Sequence, residues 1–205
     1  MSAGATHIAI VLAAGGSRRL GRAKQLLSRE GETLVHRAVR LAAATGPARL
    51  LLLTGAQAPE IQAAVAGGFR VEVLFNPRWE EGLASTLRLA AVALADLEAP
   101  CLVLGCDQPA LELEHLQRLL AGAAAAASGC SAASHHGMPG IPAVVTASLL
   151  KEATNLEGDR GLRAALRQLP AGSIALLEAP ELGFDLDTPA DVEKAINKGL
   201  LDPVR

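Results

Sequence analysis

Short runs of consecutive apolar residues alternate along this chain with longer segments in which apolar residues recur every three or four positions. The short runs lack the strict alternation of a half-solvated strand, which predicts strands covered on both faces. These runs are HIAIVL (7–12), RLLLLT (49–54), FRVEVLF (69–75) and CLVLG (101–105). The longer segments predict amphipathic helices over TLVHRAVRLAAAT (33–45), PEIQAAVAG (59–67), STLRLAAVALADL (85–97) and ELEHLQRLLAGAAAAA (112–127).

The regular order of strand and helix predicts an α/β fold with a mostly parallel sheet, and no segment resembles a linker, which predicts one domain over residues 1–205. Beyond Ser128 the pattern loosens. Segments 135–146, 155–163 and 183–193 carry the glycines, prolines and acids of functional loops, and the first is predicted to be a loop that leads into a strand. Open parallel sheets bind ligands at the carboxyl ends of their strands, so the residues that follow each predicted strand are the site candidates.

Composition narrows the classes of function. Half of the residues are hydrophobic and 2% are aromatic, which predicts a core of Ala, Leu and Val. The formal net charge of −2, without a basic tail, argues against a nucleic-acid partner. No apolar run approaches the roughly 18 residues of a membrane span, and the N-terminus lacks the pattern of a secretory signal. Three cysteines without C-x-x-C spacing favour neither disulfides nor zinc, so a cytoplasmic protein is expected.

The segment VLAAGGSRRLGRAKQLL (11–27) joins the end of the first predicted strand to a glycine turn that is rich in positive charge. Gly15 and Gly16 permit a ligand to approach the backbone closely, and Arg19 and Lys24 supply fixed cations. The P-loop, dinucleotide-binding and hydrolase-elbow patterns each fail at a required position. Two interpretations remain, a solvated loop and a cradle for a triphosphate in which the two cations offset charge on a leaving pyrophosphate.

This segment resembles the motif L-A-A-G-x-S-x-R-[ML]-G-x-x-K-x-L of the MobA-like nucleotidyltransferases, which build the dinucleotide form of the molybdenum cofactor. The fixed positions of the motif are filled by Leu12, Ala13, Ala14, Gly15, Ser17, Arg19, Gly21, Lys24 and Leu26. The resemblance implies a Rossmann-like three-layer sandwich of the nucleotide-diphospho-sugar transferase type, in which Leu12 to Ser17, Gly16 included, and Lys24 bind the nucleotide. Ala14 stands where the guanylyl relatives usually have glycine, which favours the cytidylyl branch.

A second candidate, Asp107, follows a predicted strand within LGCDQP (104–109). A carboxylate in this position suits Mg²⁺ held against nucleotide phosphates, although an Asp after a strand is also a common helix N-cap. The family has an Asp followed by x-Pro here and uses it as a metal ligand. The resemblance therefore implies that Asp107 is catalytic and binds the metal.

A third candidate is the acidic segment FDLDTPADVE (184–193). Asp185 and Asp187 alternate, so an extended chain points them the same way. Asp187 or Thr188 would equally cap the helix that Pro189 begins, and both interpretations can hold at once. The segment is similar to the family pattern D-[IV]-D-T-P, which implies that Asp187 is the second metal ligand, with Asp185 close behind it.

The segment NPRWEEGLASTL (76–87) follows the third predicted strand. Gly82 opens a helix whose free N–H groups can bind an anion; the alternative is an ordinary strand, loop and helix. The resemblance, to N-P-x-[WY]-x-x-G-x-x-x-S-[LV], implies that Asn76 contacts base or ribose and that Gly82 and Ser85, or Thr86 in its place, bind nucleotide. Trp79 either stacks on a pterin or simply packs.

Two later loops bear on the acceptor. In HHGMPGIPAVV (135–145), Ile141 stands where the family's G-x-P-G-H-P has its histidine, and the pair 135–136 either compensates or is solvated. EGDRGLRAAL (157–166) resembles G-D-x-G-[AL]-R. There, Asp159, Arg160 and Arg163 either meet the acceptor phosphate or supply ordinary charge at a helix start.

The resemblance implies that CMP passes from CTP to the phosphate of a molybdopterin-type cofactor, with Mg²⁺ as cofactor and a molybdoenzyme or its chaperone as a further partner. Arg19, Lys24 and Asp107 would carry catalysis through position and charge, because a phosphate acceptor is already ionised at neutral pH. Two alternatives remain: transfer of GMP or another nucleotide to a different phosphorylated acceptor, and a non-catalytic carrier of finished cofactor.

Overall fold

A computed structural model describes residues 7–135 and 137–203 of the chain. The expectations for the extreme N-terminus and for His136 fall outside the described residues. No helix among the described residues is long and apolar enough to cross a membrane.

The described residues form strands and helices in alternation. The strands are β1 (Ile8–Ala13), β2 (Ser28–Arg29), β3 (Glu32–Thr33), β4 (Arg49–Thr54), β5 (Glu72–Phe75), β6 (Cys101–Gly105), β7 (Ser131–His135), β8 (Met138–Val145) and β9 (Ala175–Glu178). The α-helices are α1 (Leu34–Ala44), α2 (Ala58–Val65), α3 (Leu83–Ala93), α4 (Leu113–Ala125), α5 (Ala147–Lys151), α6 (Arg163–Gln168) and α7 (Pro189–Asn197). Short 3-10 helices lie at Lys24–Leu26, Trp79–Glu81, Glu152–Asn155 and Pro180–Gly183.

Seven strands form one sheet in the order β5-β4-β1-β6-β8-β7-β9. β8 runs antiparallel to both of its neighbours, and the other described pairings in this sheet are parallel. Helices α1, α2 and α4 cover one face, and α3, α5 and α6 cover the other. Along β1, Ala9 and Val11 pack in the first of these cores while Ile8 and Ile10 pack in the second. The predicted α/β fold with a mostly parallel, doubly covered sheet is confirmed.

A third apolar cluster joins the two ends of the chain. Leu20 and Leu27, from the glycine-turn segment, pack with the fully buried Leu186 and with Val192 of α7. Apolar burial of this kind stabilises by roughly 25 cal/mol per Å². The cluster therefore fixes the acidic segment near residue 187 beside the glycine turn, although more than 150 residues of chain separate them.

Three predicted boundaries were wrong. The helix predicted over residues 85–97 spans Leu83–Ala93 instead, with Leu94 as its C-cap. The strand predicted from residue 69 begins at Glu72, because the chain turns first, with Val71 N donating to Phe69 O. The helix predicted to residue 127 ends at Ala125, since Ala126 takes an extended conformation and the chain turns toward β7. The helix propensity of alanine contributes little free energy, so the tertiary contacts that return the chain to the sheet decide where this helix ends.

The loop predicted over residues 135–146 was also wrong, because β7 and β8 form a hairpin there. The prolines are tolerated for a specific reason. The β7–β8 register shifts between Ala132 and Ala133, so Ile141 and Pro142 fall in a bulge outside both ladders, and Pro139 lies near the hairpin tip. The bulge presents Ile141 to the cleft described below.

Candidate active site

A cleft with a cavity volume of about 450 Å³ opens at the carboxyl edge of the sheet, beside the ends of β1 and β6. It lies where open α/β sheets bind ligands. Residues predicted from the sequence to form the site line much of it. Those in the lining are Leu12, Ala14, Gly15, Gly16, Ser17, Arg19, Lys24, Gly82, Asp107 and Asp187.

A cluster of opposite charges lies inside this cleft. The Lys24 ammonium donates to Asp107 Oδ2 at 2.8 Å and to Asp187 Oδ1 at 3.1 Å. Arg19 Nη2 donates to Asp187 Oδ2 at 2.8 Å. Three segments that are distant in sequence, the glycine turn, the end of β6 and the start of α7, thus meet through their charges.

Lys24 is held as a cation. Burial disfavours its charged form, but the charges and hydrogen bonds of Asp107 and Asp187 outweigh that penalty, so the pKa of Lys24 is raised above its ordinary value. Arg19, by contrast, is largely exposed, so its pairing with Asp187 contributes little to stability. Lys24 is therefore the largely buried positive charge of the cleft and Arg19 an exposed one.

Neither Asp107 nor Asp187 is needed as a helix cap, because other residues cap the helices that follow them. The N-cap of α4 is Glu112, so Asp107 does not cap a helix. Thr188 caps α7 in a reciprocal pair with Asp191. Leu186 N donates to Asp107 O at 3.1 Å, which joins the two acidic segments directly.

Asp185 is close enough to this pair to interact with its charges but does not take part in its ion pairs. Its side chain is outside the cleft lining. Partial desolvation, together with the negative charges of Asp107 and Asp187, nevertheless raises the pKa of Asp185 to about 6. Among the described residues, no group of three His, Cys, Asp or Glu side chains is close enough to hold a metal ion by itself. The structure thus brings two of the three predicted carboxylates together, around Lys24.

Asn76 and Ser85 lie behind the cleft wall rather than in its lining. Asn76 is buried, and its Nδ2 donates to Ser85 Oγ at 2.8 Å and to Thr86 Oγ1 at 3.0 Å. Asn76 Oδ1 also accepts from Arg78 N, which shapes the turn before α3. In this arrangement Asn76 and Ser85 support the wall, and Thr86 is the residue of the three that belongs to the lining.

The loop after residue 156 is hydrogen-bonded to the start of α3 and packs closely against it. Gly82 has φ +98°, and a Cβ there would lie 2.6 Å from Gly158 backbone atoms. Ala84 N donates to Gly158 O at 2.9 Å. These contacts place Asp159 in the cleft lining, whereas Arg160 and Arg163 lie outside it.

Trp79, the single tryptophan of the sequence, packs beneath the glycine turn. A Cβ on Gly16 would lie 2.6 Å from Trp79 Cζ3, and a Cβ on Gly55 would lie 2.5 Å from Trp79 Cβ. The Arg18 guanidinium lies 5.7 Å from the indole centroid. Trp79 therefore packs against Gly16 and Gly55, and its stacking on a ligand stays a prediction.

Two neighbouring glycines give a matched pair of substitutions. We expect Gly16→Ala to displace Trp79 and to lower the free energy of unfolding by about 1–3 kcal/mol, because the added methyl overpacks the site. Gly15→Ala meets no atom within 4 Å and is expected to change stability little. Chemical denaturation followed by Trp79 fluorescence measures both effects. Equal stability of the two variants would show that Trp79 does not pack as described.

Sequence reasoning missed Gln25. Its side chain is 2% exposed and hydrogen-bonded to the glycine turn. A signal existed, since a lone amide stands between Lys24 and two leucines that pack inward.

Residues 9–173 match the protein family described as MobA-like NTP transferase domain. Among known proteins, the chain is 28% identical over 182 residues to the molybdenum cofactor cytidylyltransferase of Escherichia coli, covering 89% of this chain and 91% of that protein. It is also 28% identical over 200 residues to the purine catabolism protein PucB of Bacillus subtilis, covering 91% of this chain and 94% of that one.

Among solved structures, the chain is similar to Rv0371c of Mycobacterium tuberculosis, a protein crystallised in complex with manganese. The two are 27% identical, with a TM-score of 0.70, and the match covers 94% of this chain and 99% of that one.

Proposed function

The chain belongs to the MobA-like NTP transferase family and is a nucleotidyltransferase, and from that premise we propose that it moves CMP from CTP onto the phosphate of a molybdopterin-type cofactor. Pyrophosphate is the second product. The observation that carries the proposal is Lys24 held between Asp107 and Asp187 beneath a glycine turn. Similarity to the Escherichia coli cytidylyltransferase and Ala14 at the position that favours the cytidylyl branch support CTP as the donor.

We also propose a divalent metal, Mg²⁺ in the cell, held by Asp107 and Asp187. Mg²⁺ is commonly bound through one or two carboxylates together with substrate phosphates. Two carboxylates meet here, and the manganese complex of the similar Rv0371c supports a divalent ion. When bound, the metal would neutralise charge on the α-phosphate during transfer.

The residues of the cleft suit transfer without a covalent enzyme intermediate. Lys24 and Arg19 would hold the β- and γ-phosphates and offset the charge that develops on leaving pyrophosphate. The acceptor phosphate, ionised at neutral pH, would attack the α-phosphorus. Cys106 also lines the cleft, but burial raises the pKa of its thiol, which keeps it protonated and a poor nucleophile.

The proposal is tested by pyrophosphate release from purified protein with Mg²⁺ and each of the four NTPs, with and without molybdopterin-type cofactor. Release that requires both CTP and the cofactor is the expected result. Cofactor-dependent release with another nucleotide would contradict the choice of CTP. Absence of cofactor-dependent release with every nucleotide would contradict the acceptor.

One observation favours a second candidate, transfer to a different phosphorylated acceptor such as a sugar or alditol phosphate. Ile141, which replaces the family histidine, lies in the cleft lining close to Gly105 and Asp107. An aliphatic side chain there offers the acceptor no hydrogen bond. The same assay with these acceptors distinguishes the candidates. The remaining alternative is a non-catalytic carrier that hands finished cofactor to a molybdoenzyme. Such a protein would bind cofactor without releasing pyrophosphate.

Metal affinity is expected to depend on pH. Below pH about 6, Asp185 is largely protonated, so its negative charge no longer adds to that of Asp107 and Asp187. Mn²⁺ affinity of the nucleotide-free protein should therefore rise as the pH increases from 5 to 7. Titration followed by electron paramagnetic resonance measures it. Asp185→Asn is the control and should flatten this rise; an unchanged rise would assign it to another group.

A further inference from the structure

Gln25 is a buried amide that touches three points of the glycine turn. Its Nε2 donates to Gly15 O at 2.8 Å and to Ala13 O at 3.2 Å, and its Oε1 accepts from Ser17 Oγ at 3.5 Å. Ser17 Oγ in turn accepts from Lys24 N at 3.2 Å. Gln25 therefore connects the end of β1, the turn itself and the segment that carries Lys24.

The direction of these hydrogen bonds decides where the turn's own N–H groups point. In a trans peptide the C=O of one residue is opposite the N–H of the next. Because Gln25 draws Ala13 O and Gly15 O inward, the N–H groups of Ala14 and Gly16 point away from it. Ala14 O is also occupied, by Ala56 N at 3.1 Å. The carbonyls thus face the protein.

The N–H groups of Gly15, Gly16 and Ser17 have no acceptor among the described residues. Ser17 adopts φ +47°, a left-handed conformation that is unfavourable for a residue with a side chain. Strain of this kind persists where surrounding contacts enforce it. Successive N–H groups around such a residue form a concavity that binds anions.

We infer that Gln25 is a positioning residue for the triphosphate, acting by turning the backbone N–H groups of Ala14 and Gly16 toward the cleft. The inference rests on the proposed function, since it concerns how the same site holds its donor nucleotide. A carboxamide suits the task because it has two N–H donors for two carbonyls and adds no charge beside Lys24.

The first test measures binding of inorganic tripolyphosphate with Mg²⁺, followed through Trp79 fluorescence. Gln25→Met keeps the side-chain volume and removes the hydrogen bonds. It is expected to weaken tripolyphosphate binding about tenfold, because aligned N–H donors are lost. Ser131→Ala is the matched control. Ser131 is equally buried, donates to Leu119 O at 2.6 Å and lies outside the cleft lining, so tripolyphosphate affinity should not change.

The second test separates positioning from a purely structural role by steady-state kinetics. Gln25→Met should raise the KM for CTP about tenfold and leave the KM for the acceptor nearly unchanged, whereas Ser131→Ala should alter neither. Gln25→Leu, which has a similar volume, no hydrogen-bonding group and no charge, gives the same measurement if Gln25→Met does not fold.

Tripolyphosphate binding by Gln25→Met that equals wild type would overturn the inference, as would failure of the wild type to bind tripolyphosphate. A wild type that binds tripolyphosphate in a Gln25-dependent way, but transfers no CMP, would support the inference and contradict the proposed donor or acceptor.

Discussion

Lys24→Met is expected to lower kcat/KM for pyrophosphate release by about 10²- to 10³-fold, the usual effect of removing a preorganised group that stabilises developing charge. Lys24 is the cation that burial and two carboxylates hold in one place. Methionine fills similar volume without the ammonium. The loss should fall on transfer rather than on folding, which circular dichroism of the variant checks.

Arg22→Met is the matched control for this substitution. Arg22 lies in the same turn but outside the cleft lining, so its loss removes a positive charge without touching the acids. Its kcat/KM should stay within about threefold of wild type, since exposed charges interact weakly. Activity of Lys24→Met comparable to Arg22→Met would remove Lys24 from the catalytic machinery.

A second measurement on Lys24→Met tests what the ammonium does before substrate binds. In the structure it occupies both carboxylates that are proposed to bind the metal. The variant leaves them without this counter-ion, so Mn²⁺ affinity of the nucleotide-free protein should increase. A decrease would mean that Lys24 is needed to shape the metal site rather than competing for it.

How well each part of the site could be predicted depends on how far apart in the sequence the interacting residues are. Asp107 and the glycine turn were identifiable because each follows a strand that consecutive apolar residues define. The meeting of Lys24 with Asp187 spans 163 residues and depends on the packing of Leu186 against Leu20 and Leu27. No local spacing encodes that contact.

The hardest residues to predict were those whose side chains hold the surrounding loops and helices in place through hydrogen bonds. The resemblance implied that Asn76 contacts base or ribose, and in the structure its amide donates to hydroxyls of α3. Gln25 occupies an unspecified position of the motif, and in the structure it holds two carbonyls of the turn. In both cases the side-chain type predicts a hydrogen-bonding role, whereas the partner is set by tertiary packing. The bulge that brings Ile141 to the cleft was missed because Gly and Pro in its segment also fit a loop.

Asp107→Asn is expected to lower kcat/KM for transfer by about 10³-fold. The substitution keeps the shape of the side chain but removes half of the carboxylate pair that is proposed to hold the metal. A metal that neutralises phosphoryl charge contributes several kcal/mol to the transition state, and each 1.4 kcal/mol corresponds to about tenfold in rate. Mn²⁺ affinity of the nucleotide-free protein should fall in parallel, which links the kinetic loss to the metal.

Asp96→Asn is the control for Asp107→Asn, because Asp96 is an exposed carboxylate between α3 and β6, at the opposite edge of the sheet. It should leave both kcat/KM and Mn²⁺ affinity at wild-type values. If Asp107→Asn lost activity but bound Mn²⁺ normally, Asp107 would act through Lys24, whose pKa it helps to raise, rather than through a metal. Wild-type activity in Asp107→Asn would contradict both roles, because Asn can neither neutralise the ammonium nor supply a metal with a negative ligand.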